Sequence, residues 1–146
     1  MVALCLEKQV GVTVIDNLCN SDLSNLQKLE SYFKVSIPFY EIDIRDHDKL
    51  KEFFNGHHFS AVIHFAGLKS VSESVANPDY YHDNNVVGSK NLIDCIKEQG
   101  IKNVIFSSSA TVYGDPQYLP IDEDHPIQPF NPYGETKAQA LSLIHI

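Results

Sequence analysis

Ala61-Val62-Ile63-His64-Phe65-Ala66-Gly67-Leu68-Lys69 decides the fold: a short, largely β-branched apolar run ends abruptly in small residues and a lysine. Its hydrophobicity is nearly continuous rather than alternating. A strand with one wet face alternates with period two, so a continuous run predicts a parallel strand covered on both faces. Working outward, Val12-Thr13-Val14-Ile15, Ile37-Pro38-Phe39-Tyr40-Glu41-Ile42 and Asn103-Val104-Ile105-Phe106 read as further strands, the first and last of the same near-continuous kind. Between them apolar residues recur at helical spacing: Leu23, Leu26, Leu29 and Phe33, then Leu50, Phe53 and Phe54, then Val86, Val87, Leu92, Ile93 and Ile96. Asp46 or His47, ahead of Asp48 to Phe54, starts the second of these helices with the acidic residues that a helix N-terminus favours. Strand and helix alternate, which predicts an α/β fold with a doubly wound, Rossmann-like parallel sheet.

The ends of the pattern are abrupt. A dinucleotide-binding fold opens with a strand and a glycine-rich turn into its first helix. Here Met1 to Gln9 reads as that first helix, Gly11 as its end and Val12 to Ile15 as the second strand, so Met1 is expected to be an internal start, with the first strand and glycine-rich loop lacking. At the other end, Leu141-Ser142-Leu143-Ile144-His145-Ile146 reads as a non-native tail. The expectation is a single partial domain over residues 1–140, with 141–146 outside it.

Composition excludes several classes of function. Eleven basic against nineteen acidic residues give a net charge of −8, and the basic residues are scattered singly, so nucleic acid has no electrostatic footprint to bind. The longest apolar runs are about six residues, against the ~20 that span a bilayer. The N-terminus has no basic segment ahead of its apolar residues and makes a poor signal peptide. Cys5, Cys19 and Cys95 are odd in number and widely spaced, which fits reduced thiols in the cytoplasm. There is no HExxH, so no metal is indicated. The stretch from Asp115 to Pro129 carries four prolines and is expected to be a long loop serving a site.

Candidate functional residues gather where strands end. Asp16 closes a strand, where its carboxylate can accept the two hydroxyls of an adenosine ribose and repel a 2′-phosphate. With Asn17, Asn20 and Ser21 it can equally form a turn and cap the next helix. Asp43 and Ile44 end another strand, along which an adenine ring would lie, though Asp43 also suits a plain polar strand end. Phe65 to Lys69 offer small residues that let backbone approach a cofactor and a lysine able to reach phosphate or ribose; the alternative is an ordinary turn with a solvated lysine. Tyr133 and Lys137 are four apart, hence neighbours on one helical face. An adjacent ammonium favours phenolate, which makes a tyrosine a useful base. With seven tyrosines in the chain, about half a Tyr-x-x-x-Lys is expected by chance, so the spacing alone is weak. Context decides, because Ser107-Ser108-Ser109-Ala110-Thr111-Val112-Tyr113-Gly114 directly follows a strand, where Ser109 can bond the same substrate oxygen.

Taken together, Asp16-Asn17-Leu18-Cys19-Asn20-Ser21, Val62 to Lys69, Tyr80-Tyr81-His82-Asp83-Asn84-Asn85, Ser107 to Gly114 and Asn131-Pro132-Tyr133-Gly134-Glu135-Thr136-Lys137 resemble UDP-glucose 4-epimerases of the extended short-chain dehydrogenase/reductase type, over residues 1 to about 140. The resemblance implies NAD contacts from Asp16, Asn17, Leu18, Cys19, Asn20, Ser21, Asp43, Ile44, Phe65, Ala66, Gly67, Leu68, Lys69, Asn84, Ser109, Tyr133 and Lys137. It implies a catalytic set of Ser109, Tyr133 and Lys137 that interconverts UDP-glucose and UDP-galactose through a 4-keto intermediate. It also implies a homodimer paired through helices that include Asn84 to Gln99. Two departures stand out: the glycine-rich loop is absent, and Glu135 stands where relatives often carry a basic or neutral residue, a position expected to face solvent. The rival enzymes on this fold are nucleotide-sugar 4,6-dehydratases and decarboxylases. A dehydratase needs a carboxylate after the fifth strand of the fold, and this chain has Ser109-Ala110-Thr111 there. The rival of another class is a non-catalytic, truncated binding module, which the missing loop favours for the chain by itself.

Overall fold

The computed structural model describes residues 1–144. The elements run α1 (Val2–Glu7), β1 (Val14–Asp16), α2 (Ser24–Phe33), β2 (Phe39–Glu41), α3 (His47–Asn55), β3 (Ala61–His64), α4 (Val71–Ala76), α5 (Pro78–His82), a π-helical turn (Asp83–Val87), α6 (Gly88–Glu98), β4 (Asn103–Phe106), a 3-10 turn (Ala110–Tyr113) and α7 (Pro132–Ile144). The alternation read from the sequence is present, and both strand pairs are parallel with a helical crossover between partners. The chain forms two compact units, Met1–Asp43 and a second from Ile44 onward.

In the first unit β1 pairs with β2 in the register Val14↔Phe39, Ile15↔Tyr40, Asp16↔Glu41, and α2 makes the crossover. Ile37 and Ile42, flanking β2, are its buried apolar residues. In the second unit β3 pairs with β4 from Ala61↔Asn103 to His64↔Phe106. Asp46 caps α3, its Oδ1 accepting the Lys49 amide at 3.1 Å, and this fixes a helix whose Leu50, Phe53 and Phe54 are all buried. They pack toward α6, which buries Leu92, Ile93 and Ile96 at i, i+1 and i+4.

The strands do not join into one continuous sheet, as the expectation of a Rossmann-like fold lacking its central first strand implies. They form two two-stranded sheets, because among the described residues no strand pairs with both β1 and β3. Two-sided burial is not reached either: Ile105 is 56% exposed and all of β1 is only half-buried. A continuous apolar run goes dry only when both faces are covered, and here one side of β4 is left open. α7 continues without a break through Ile144, so most of the stretch set aside as a tail is helical, while 145–146 lie outside the described residues. The short helices α4 and α5 carry too few apolar positions to produce a periodicity, and Pro78 divides them. Asp115–Pro129 is an irregular loop, as expected, and buried His125 secures it by accepting the Gln117 amide at Nε2, 3.0 Å.

Candidate functional site

Parallel pairing of β3 and β4 puts the turn after β3, Phe65 to Lys69, and the serine stretch after β4 at the same strand edge. The Ser107 amide donates to the His64 carbonyl at 3.1 Å, extending the ladder one step beyond the strand. Ser109 then adopts an extended conformation and caps the 3-10 turn. Its Oγ accepts from the Thr111 hydroxyl at 2.9 Å and the Thr111 amide at 3.3 Å.

The start of α7 is pinned from two sides. Asn131 Oδ1 accepts the Gly134 amide at 2.8 Å, and Ser74 Oγ on α4 accepts the Tyr133 amide at 3.1 Å. Gly134 has to lack a side chain: a Cβ there would lie 2.7 Å from the Thr111 carbonyl oxygen. The first turn of α7 therefore rests directly on the turn that Ser109 caps, which brings Ser109 and Tyr133 into one neighbourhood. Lys137, one helical turn on, is buried with its Nζ donating to the Ser107 carbonyl at 2.9 Å and lying 4.8 Å from the Phe106 ring centre. Burial holds its pKa below the ordinary lysine value. Glu135, between the two, is exposed as expected.

The turn after β3 closes on the same place. A Cβ on Gly67 would meet Lys137 Nζ at 3.2 Å and Asn85 Oδ1 at 3.4 Å. Asn85 is the hub. Its Oδ1 accepts the Leu68 amide at 2.8 Å and Asn84 Nδ2 at 2.9 Å, while its Nδ2 donates to the Leu68 carbonyl at 2.9 Å and to Thr136 Oγ1 at 3.2 Å. All four hydrogen-bonding positions of the amide are filled, which is what a buried asparagine needs. Thus Ser109, Tyr133, Lys137, Asn84 and Phe65 to Lys69 come together in the second unit. Within that turn Phe65, Ala66 and Lys69 are exposed, whereas Leu68 is buried against Tyr81 and Tyr133 with its backbone engaged by Asn85.

The other expected contacts lie in the first unit or at its edge. Asp16 Oδ1 accepts the Leu18 amide at 2.8 Å and the Ser21 hydroxyl at 3.0 Å, so the turn reading of Asp16 is seen. The capping reading is not: the N-cap of α2 is Leu23, which offers no side-chain bond. Leu18 sits at φ 55° within this turn, Asn17 Oδ1 accepts the Cys19 amide at 3.2 Å, and Cys19, Asn20 and Ser21 are exposed. Asn17 Nδ2 donates to Asp43 Oδ2 at 2.9 Å, joining the ends of β1 and β2. Ile44 belongs to the second unit, buried, with its carbonyl accepting Asn91 Nδ2 at 3.3 Å.

Sequence reasoning passed over Asn85, Ser74 and Tyr81. Their roles are buried tertiary bonds without a spacing signature. The one available signal was the polar pair Asn84-Asn85 set inside an apolar helical pattern, and it falls on a π-helical turn, a feature frequent at functional sites.

Parallel strand pairs with helical crossovers, and a Tyr–Lys pair on a helix that lies against a serine turn at the strands' carboxyl edge, define a Rossmann-fold protein of the extended short-chain dehydrogenase/reductase type. The chain belongs to the GDP-mannose 4,6 dehydratase family, which it matches over residues 1–145. Among curated proteins it is 48% identical over 134 residues to a UDP-glucose 4-epimerase of Neisseria meningitidis serogroup A, covering 91% of this chain and 40% of the relative. It is 44% identical over 136 residues to UDP-glucose 4-epimerase uge1 of Schizosaccharomyces pombe, covering 90% and 38%. Among solved structures, UDP-glucose 4-epimerase from Bifidobacterium longum in complex with NAD+ and UDP superposes with a TM-score of 0.93 at 39% identity, covering 98% of this chain and 43% of that one. The chain spans about 40% of the length of the curated relatives it matches.

Proposed function

We propose that the protein carrying this chain is a UDP-glucose 4-epimerase that interconverts UDP-glucose and UDP-galactose, with NAD as a bound cofactor. The observation that supports the reading is that α7, which carries Tyr133 and Lys137, rests its first turn on the Ser109 turn, with Lys137 Nζ on the Ser107 carbonyl and beside a turn that Gly67 keeps free of side chain.

The chain's residues fit that cofactor. Asp16 ends β1 with one oxygen engaged locally, and its carboxylate suits the adenosine ribose hydroxyls. In the second unit Lys137 and the exposed Lys69 supply cationic donors, and Gly67 permits close approach. None of the seven glycines forms Gly-x-x-Gly-x-x-Gly, so no residue of the chain is assigned to the cofactor's diphosphate. When bound, NAD supplies reversible two-electron oxidation at carbon 4 of the sugar.

Tyr133 takes the proton of the sugar 4-hydroxyl and later returns it. Lys137, one turn away, presents positive charge to the phenolate, and burial removes the water that would otherwise weaken that attraction. Both lone pairs of Ser109 Oγ are engaged by Thr111, which leaves its O–H as the group offered to the sugar oxygen. The family's description is that of a dehydratase, but dehydration requires a group to protonate a departing hydroxyl. The turn after β4 carries Ser109-Ala110-Thr111 without a carboxylate, and this favours epimerisation. The same reading places the protein in the cytoplasm, as a homodimer.

Tyr133→Phe is the direct test, made in a protein carrying this chain at the length of its curated relatives. Turnover should fall at least ~10²-fold while NAD stays bound. Near-normal turnover would remove Tyr133 from the role.

A further inference from the structure

Among the described residues Tyr81 heads the fully buried large side chains, at 0% exposure, and the chemistry just described does not use it. A phenol buried this deeply needs its hydroxyl satisfied. Its Oη accepts the Ser70 amide at 2.9 Å and donates to Glu73 Oε2 at 2.8 Å. Both partners belong to the capping turn of α4, where Ser70 Oγ in turn accepts the Glu73 amide at 3.3 Å. The hydroxyl is thus anchored to the segment that directly follows the Phe65–Lys69 turn. Burial and Glu73 push its pKa up to about 12, so Tyr81 stays protonated and is no base itself.

The anchored ring has one consequential neighbour. It stands perpendicular to the Tyr133 ring, with centroids 6.5 Å apart at 86°, and Leu68 completes the buried cluster. Next to Glu73 on α4, Ser74 donates to the Val71 carbonyl at 2.6 Å and accepts the Tyr133 amide. The backbone of Tyr133 and its ring therefore both bear on α4 and α5. A phenol on the first turn of a helix has two side-chain torsions to fix, and a proton transfer tolerates little error in them: a displacement of ~1 Å costs on the order of 10²-fold in rate.

We propose that Tyr81 is a positioning residue for the Tyr133 phenol, its ring serving as the stop against which Tyr133 is oriented while Ser70 and Glu73 hold that stop in place. The proposal rests on the reading of Tyr133 as the proton-transferring group.

The test compares Tyr81→Phe, Tyr81→Leu and Tyr81→Met with Tyr133→Phe, again at the length of the curated relatives, following UDP-galactose turnover. Losing the ring in Tyr81→Leu should cut kcat about 10- to 100-fold and leave KM within about threefold. Tyr81→Phe, which keeps the ring, should restore kcat to within about threefold of the parent. Tyr81→Met, flexible enough to refill the space, stands in if the leucine variant fails to fold and carries the same expectation as Leu. With Tyr133→Phe already in place, Tyr81→Met should cause no further loss, because nothing is left to orient. A normal kcat in Tyr81→Met, equal losses for Phe and Met, or a full additional loss in the double variant would each overturn the proposal. Should Tyr133→Phe itself keep its turnover, the reading of Tyr133 fails first, and the two failures remain distinct.

Discussion

His64 shows how much a single residue can carry that its neighbours in sequence do not announce. It ends β3 almost wholly buried, with Nε2 2.8 Å from Ser89 Oγ. Ser89 donates its own proton to the Asn85 carbonyl at 2.5 Å, so the imidazole must be the donor to Ser89, and Nδ1 carries the lone pair. Burial first, and the Lys137 charge second, lower its pKa from 6.5 to about 4. The folded protein thus prefers neutral His64. Below pH 6.5 the unfolded chain takes up a proton that the folded chain refuses until about pH 4. Stability contributed by His64 is therefore full near neutrality and falls as pH drops through that window, by ~3 kcal/mol at most. His64→Gln keeps a donor for Ser89 and abolishes the titration, so the drop in urea midpoint between pH 7 and pH 4.5 should be smaller than in the parent. An unchanged drop would contradict the assignment. Among residues, Tyr133, Lys137 and Ser109 stood out as candidates because a helical Tyr–Lys spacing and a serine run after a strand agree. His64, Asn85 and Tyr81 did not, because a buried hydrogen bond between distant residues leaves no periodicity to read.

Among the elements, α7 bears Tyr133 and Lys137 and is fixed by contact more than by propensity. Gly134 in its first turn is a poor helix former, and on an exposed helix Gly→Ala would stabilise by ~1 kcal/mol. Here the added Cβ would lie 2.7 Å from the Thr111 carbonyl and 3.1 Å from Pro129 Cβ, both poorly able to yield. Gly134→Ala is expected to destabilise by about 1–3 kcal/mol in urea unfolding. A gain of ~1 kcal/mol would mean that α7 does not rest on the Ser109 turn. The elements with strong patterns were read correctly: α3 from its acidic start and apolar face, α6 from its period, β4 to the residue. β1 and β2 came out shorter at their edges, since an apolar residue beside a strand resembles one within it. The helices α4 and α5 stayed invisible, being five or six residues long and split by Pro78, although Ser70-x-x-Glu73 is a legible capping pattern.

For the whole molecule, class and alternation were plain in the sequence, whereas the partner of each strand was not. An apolar run states that a strand wants neighbours without stating which strand supplies them. The chain answers with two parallel pairs in two units, and it spans about 40% of the length of its curated relatives. Lys137 buried against Ser107, Gly67 without a side chain and Ser109 tied to Thr111 are the features on which the proposed proton transfer at one sugar oxygen rests. The decisive measurement is therefore the product itself. UDP-galactose is incubated with a protein that carries this chain at the length of its relatives, and the mixture is followed by proton NMR. UDP-glucose should accumulate to equilibrium with no added NAD consumed. A 4-keto-6-deoxy sugar nucleotide, formed by loss of water, or no conversion at all, would contradict it.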